Sequence, residues 1–178
     1  MSLTLGTYDT PEGAMKYGVL SVPKKYQYES EWCWAACAEM VLHYHGQTNW
    51  SQPKIVEHIY GSPNSNRFTK LPDIYNFYSA CGITPDVKFG NNKQDPMPFI
   101  DLKSAINQER PVEAYVCWNC NAPANVYGHL LIVYGWGEHQ EDKYAFVHDP
   151  RCDGSSGPIK YSDLCKYDGG TWHVAFVC

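Results

Sequence analysis

Apolar positions fall into two regimes along this chain, spaced for helices in the first half and gathered into short strand-like runs in the second. From Trp34 the run W-A-A-C-A-E-M-V-L-H-Y-H is rich in helix formers, and Gly46 supplies a stop. Ser30 is placed to cap that helix, because its hydroxyl can accept from a free backbone N–H, and Glu31 follows at the positive end of the dipole. A second helix is predicted over Ser51–Tyr60, with Ser51 as cap, Pro53 in its first turn and Gly61 ending it. Thr69–Ala80, stopped near Gly82, and Phe99–Gln108 read as two more. Asp86–Phe89 is a short candidate strand, and Gly90–Pro98 a polar linker with two asparagines and two prolines. From Val112–Val116 onward the pattern changes. Leu130–Tyr134 and Tyr144–Val147 are short apolar runs of the kind buried strands show, as is T-W-H-V-A-F-V near the end. Between the first two, Gly137–Asp142 is polar and opens with glycine, which predicts a hairpin loop. A loop centred near His139 sets His129 opposite Asp149, within one residue. Helices first and antiparallel strands second give an α+β layout with a cleft between the halves.

That layout changes the meaning of several polar residues. Cys33 falls in the first turn of the first helix, where unpaired N–H groups and the macrodipole are expected to stabilise a thiolate. The same N–H groups suit a developing oxyanion, and the amide of Gln27, six residues ahead of the cysteine, is a candidate second donor. A nucleophilic thiol needs a base held by a third group. His129 and Asp149 are the best candidates, since the hairpin brings them together. Among the other histidines, His43 and His45 close the first helix, His58 lies on the second and His139 in the hairpin loop. His148 points to the opposite sheet face, and His173 on the last strand is the strongest competing base. Cys37 follows Cys33 by one helical turn and is expected to enter the core.

Together, Gln27…Cys33-Trp34-Ala35-Ala36, Gly128-His129 and Asp149-Pro150 resemble the papain-like cysteine peptidases. The branch most similar is the bacterial group of staphopains, secreted effector peptidases and bacteriocin-leader peptidase-like domains. The resemblance covers roughly Val22 to Phe176, with residues 1–21 left as an N-terminal arm or propeptide remnant. It implies a helical half over about 22–90, a sheet half over about 99–178 and an active-site cleft between them. It further implies Cys33 as nucleophile, His129 as general base then acid, and Asp149 as the residue orienting the imidazole. Gln27 and the Cys33 N–H would form the oxyanion hole, with polypeptide as substrate and neither cofactor nor metal required. Two departures stand out: Glu31-Trp32 precedes the cysteine where plant papains and cathepsins have Gly-Ser, and the third member is aspartate, not asparagine. Another acyl-transfer chemistry on the same triad (transglutaminase- or amidase-like), an inactive peptide-binding domain and a disulfide-stapled module are the competing readings.

Composition narrows these choices. A net charge of −5, with no basic cluster beyond Lys24-Lys25, gives no electrostatic footprint for nucleic acid or anionic membrane. No apolar run approaches the roughly 18 residues a membrane helix needs. Eight cysteines are many for 178 residues. Cys117-x-x-Cys120 and the Cys152/Cys165 pair fit either disulfides or a zinc site, although a second C-x-x-C is missing. Disulfides would favour a secreted or periplasmic protein, yet M-S-L-T-L-G-T-Y-D-T lacks the basic and apolar regions of a leader.

Overall fold

The computed structural model describes residues 2–10, 13–88, 96–118, 128–154 and 156–178. Helix α1 (Cys33–Tyr44) runs through the centre, and every residue on it except His43 is buried. A helix that is apolar all round has no solvent face. This one is enclosed by α2 (Gln52–Tyr60), α3 (Leu71–Ala80) and the sheet. Its first two turns carry Ala35, Ala36, Cys37 and Ala38, fully buried small side chains that let the backbone lie close to the strands. Helix α2 keeps the expected punctuation, with Ser51 before it and Gly61 closing it at φ 71°, in the left-handed region that glycine enters without a Cβ clash. Helix α3 starts two residues later than Thr69, and α4 (Phe99–Asn107) lies where its pattern placed it.

Ser30 does not cap α1. Residues 29–32 form a turn closed by the Trp32 N–H to the Glu29 carbonyl at 3.1 Å, which makes Trp32 the residue before the helix. The Ser30 hydroxyl instead accepts from Asn66 Nδ2 at 3.1 Å.

Among the described residues, eight strands form one antiparallel sheet: β1 (Leu3–Thr10), β2 (Gly13–Leu20), β3 (Asp86–Lys88), β4 (Val112–Cys117), β5 (Gly128–His139), β6 (Asp142–His148), β7 (Ser156–Lys160) and β8 (Thr171–Val177). The order is β1-β2-β5-β4-β8-β3, with β6 pairing β5 and β7 pairing β6. The stretch ahead of Val22 is thus a hairpin, hydrogen-bonded to β5 through Lys16–Val19. Strand β3, from the first half of the chain, closes the far edge beside β8. Neighbouring side chains on a strand point to opposite faces. On β4, Glu113 meets Tyr78 of α3 and Tyr115 meets Phe68, whereas Val116 is paired with Trp172, which touches Tyr161 of a short helix α5 (Tyr161–Leu164). Helices therefore cover both faces of the central strands, and all six residues of β4 are buried.

The β5–β6 hairpin departs from the expected register. Strand β5 continues through Gly135 and Gly137 to His139, leaving only Gln140-Glu141 as the loop. Gly137 reads as the opening of the loop, yet it and Gly135 answer a packing need. A Cβ at Gly135 would sit 2.6 Å from Val19 Cγ1, and one at Gly137 3.0 Å from Met15 Sδ. The longer strand and a bulge at Tyr134 set Ile132, not His129, opposite the strand-final residue His148. Asp149 follows immediately, and the chain leaving β6 carries it back towards His129.

Candidate active site

Cys33 is the first residue of α1, and that end of the helix is held by the loop after α2. The indoles of Trp32 and Trp34 donate to the carbonyls of Ser65 (2.9 Å) and Arg67 (3.1 Å), and Asn66 Oδ1 accepts from the Glu31 N–H at 3.0 Å. The thiol is 4% exposed and accepts hydrogen bonds from the backbone N–H groups of Leu130 and Trp34. Leu130 directly follows His129, so the sulfur lies against the start of β5. Burial pushes the Cys33 thiol up to about 12, against the pull of those two N–H groups and with help from the negative charges of Glu113 and Glu31. The expected thiolate at the helix end is therefore outweighed: the dipole acts, but dehydration of the sulfur acts more strongly.

His129, the second residue of β5, is also buried. Its Nε2 lies 2.7 Å from Asp149 Oδ1. A carboxylate can only accept, so Nε2 carries the proton and the Nδ1 lone pair is left as the basic site. Asp149 is fully buried. Burial alone would raise its pKa, but the hydrogen bond and charge of His129, with the bonds from Arg151, hold it well below the usual carboxylate range. Oδ1 also accepts from the Arg151 N–H (2.9 Å), while Oδ2 takes Arg151 Nη2 (2.9 Å), Nε (3.2 Å) and the Tyr167 hydroxyl (2.7 Å). Gly154 makes room for this: a Cβ there would stand 2.4 Å from Asp149 Cγ. Gly128 does the same for the Tyr115 ring, 2.3 Å from where its Cβ would be.

Gln27 is anchored beside this group by its N–H to the Pro150 carbonyl at 2.8 Å. Its side-chain Nε2 donates to the carbonyls of Glu29 and Ser30, both at 2.8 Å, so both amide hydrogens are engaged, while Oε1 is buried without a partner. The Cys33 N–H, at the first helical position, has no acceptor within the helix.

Three of the other histidines are occupied elsewhere. His43 Nε2 lies 2.7 Å from the Trp50 carbonyl, His58 sits among Trp50 and Phe77, and His148 meets Val22 O and Ser156 Oγ while stacking on Tyr134. Of the cysteines, Cys37 is fully buried as expected and Cys117 is disulfide-bonded. Cys152 and Cys165 are free thiols, which removes that pair as a disulfide. Cys120, like most of the linker at 90–98, lies outside the described residues. Sequence reading missed Arg151 and Tyr167. The first adjoins Asp149-Pro150 and was visible as the next charged residue; the second had no signal, being brought in only by the turn before β8.

Helices packed on this antiparallel sheet give a papain-like fold, and the class of protein is a papain-like cysteine peptidase. The sequence profile of the family described as "Papain-like cysteine protease AvrRpt2" matches residues 16–160, and the chain belongs to that family. No curated protein sequence matches it. Among solved structures, it is similar to one described as a C39-like peptidase from Bacillus anthracis, with a TM-score of 0.60 at 14% identity, covering 90% of this chain and 97% of that one. Another is described as a double glycine motif protease from an AMS/PCAT transporter in complex with the leader peptide, with a TM-score of 0.52 at 16% identity over 89% and 91% of the two chains. At these identities the likeness is one of fold.

Proposed function

We propose that this cysteine peptidase cleaves polypeptides internally through Cys33, His129 and Asp149, by way of a thioacyl-enzyme. The observation that carries the reading is the buried Nε2–Oδ1 bond of 2.7 Å, which commits one imidazole nitrogen to Asp149 while Cys33 lies against the backbone of the next residue, Leu130. His129 Nδ1 takes the thiol proton as Sγ attacks the peptide carbonyl, and then delivers it to the leaving amine as the C–N bond breaks. Water, deprotonated by the same nitrogen, then displaces Cys33 from the thioester. Asp149 holds the tautomer and stabilises the imidazolium.

The Cys33 N–H is the first donor for the oxyanion. Gln27 is the second, and it serves when one of its two bonds to the Glu29 and Ser30 carbonyls is released on substrate binding. The test is titration of the reduced protein with an epoxysuccinyl peptide inhibitor, followed by peptide mapping, alongside hydrolysis of an unfolded protein substrate. One equivalent at Cys33, lost in His129→Ala together with hydrolysis, is the expected result. Modification at another cysteine, or hydrolysis surviving Cys33→Ala, overturns the assignment.

A further inference from the structure

Asp149 is held by more than the imidazole, and the extra partners form a closed circuit. Arg151 binds Asp149 through its backbone N–H, Nε and Nη2, and spends Nη1 on Asp168 Oδ2 at 2.8 Å. The Asp168 carbonyl accepts from the Trp118 indole at 2.9 Å, and the Trp118 ring stacks on His129 with centroids 6.1 Å apart and an 18° tilt. The path from His129 through Asp149, Arg151, Asp168 and Trp118 thus returns to His129. Two backbone features support it. Asp168 adopts φ 50°, ψ 39°, a left-handed conformation uncommon for a residue with a side chain. A Cβ on Gly170 would crowd Val116 Cγ1 at 2.6 Å and Trp118 Cδ1 at 3.1 Å.

We propose that Arg151 is a positioning residue of the catalytic site: it offsets much of the charge of Asp149, so that the aspartate fixes the His129 tautomer and steadies the imidazolium without acting on it as a bare buried anion. The inference rests on the proposed roles of His129 and Asp149. An unopposed carboxylate 2.7 Å from the imidazole, fully buried, would stabilise the imidazolium and keep Nδ1 protonated at rest, leaving no lone pair to take the proton of a neutral thiol. With the guanidinium bound side-on to the same carboxylate, the pair carries no net charge towards the ring. Hydrogen bonding and tautomer control remain, and most of the charge is removed. The other charged or titratable groups near the site are Cys33, Cys37 and Glu31 on the helical side, Glu113 and Tyr115 on β4, and Tyr167 and Asp168 beside Arg151.

The experiment follows the His129 imidazole by NMR as a function of pH in a Cys33→Ala background, where no thiol competes for the proton. Arg151→Gln is expected to raise the His129 midpoint by about one pH unit or more, from a Coulomb interaction across several ångströms at intermediate dielectric. Arg151→Lys, which keeps the charge but not the fork, should leave it close to the parent. Asp149→Asn, which leaves the guanidinium unopposed, should lower it, and Asp149→Asn with Arg151→Gln should return it towards the parent. A midpoint in Arg151→Gln equal to or below that of the parent overturns the proposal. If that variant does not fold, the lysine and asparagine variants decide, and an unchanged midpoint in Asp149→Asn overturns it equally. The titration reads the clamp without any turnover, so a failed peptidase assignment, seen in hydrolysis and inhibitor mapping, is distinguishable from a failed clamp.

Discussion

Replacing His129 by alanine isolates the two forces acting on Cys33. Without the imidazole, the thiol has only the helix end and the N–H groups of Leu130 and Trp34 to favour its charged form, and burial opposes them. At a thiol constant of about 12, against 9.0 for an ordinary cysteine, the thiolate population at pH 7 drops from about one in a hundred to about one in a hundred thousand, roughly 10³-fold. A more basic thiolate is intrinsically more nucleophilic, and a Brønsted slope of 0.4–0.5 returns a factor of about 20. Iodoacetamide should therefore modify Cys33 in His129→Ala about 50-fold more slowly than an ordinary thiol. The exposed Cys152 is a reference within the same molecule. The assay quenches alkylation over minutes to hours between pH 5 and 10 and counts each labelled peptide by mass spectrometry. In the parent, Cys33 is expected to react ahead of Cys152, with the advantage lost as pH falls and the imidazole fills with protons. Labelling of Cys33 in His129→Ala at or above the rate of Cys152 at pH 7 would refute the argument, because the helix end would then suffice. Equal rates in parent and variant would sink the role given to His129.

Two further perturbations test the surroundings. Glu113, buried on β4 with one oxygen unpartnered and the other bonded to the Tyr78 hydroxyl at 2.9 Å, is pushed from 4.5 up to about 8, mainly by burial. A raised folded-state constant means that its contribution is complete below pH 4.5 and declines as pH rises to 8, at about 1.4 kcal/mol per unit and on the order of 5 kcal/mol in all. Urea unfolding at pH 5 and pH 8.5 should show that decline in the parent and largely abolish it in Glu113→Gln; parallel curves would contradict it. Gly154→Ala should displace Asp149, whose Cγ stands 2.4 Å from the new Cβ site. A misplacement of that order costs about 10²-fold in kcat with KM little changed, and unaltered kcat would show that the loop yields without moving the carboxylate.

How much of this was legible in the sequence depended on whether local chemistry or long-range packing set each feature. Helix α2 was readable because Pro53 and Gly61 act through their own backbones. Cys33, His129 and Asp149 were identifiable as candidates because strand and helix patterns placed them at element ends. The failures share a cause. Gly137 looks like a loop residue, yet it and Gly135 lie within β5 because strand β2, more than a hundred residues earlier, leaves no space for a Cβ. Ser30 looks like a cap, but Asn66 captured its hydroxyl. The hairpin at the start of the chain shows its purpose only once β5 has grown long enough to receive it. Tyr167 depends on the turn before β8, which no periodicity forecasts.

The same contrast between local and collective effects governs the proposed nucleophile. A helix N-terminus lowers a thiol's pKa effectively only while the sulfur keeps some solvent or a cationic neighbour. Here Cys33 is packed below the surface, beside a sheet that buries Glu113 beneath it, so the local dipole loses to the collective cost of dehydration. On the proposed mechanism, such a site needs a base that is free at Nδ1. The structure assigns its hydrogen bonds accordingly, with Nε2 tied to Asp149 and Asp149 tied to Arg151 and Tyr167. Reactivity then belongs to the thiol and imidazole as a pair, and proton transfer accompanies attack on the substrate.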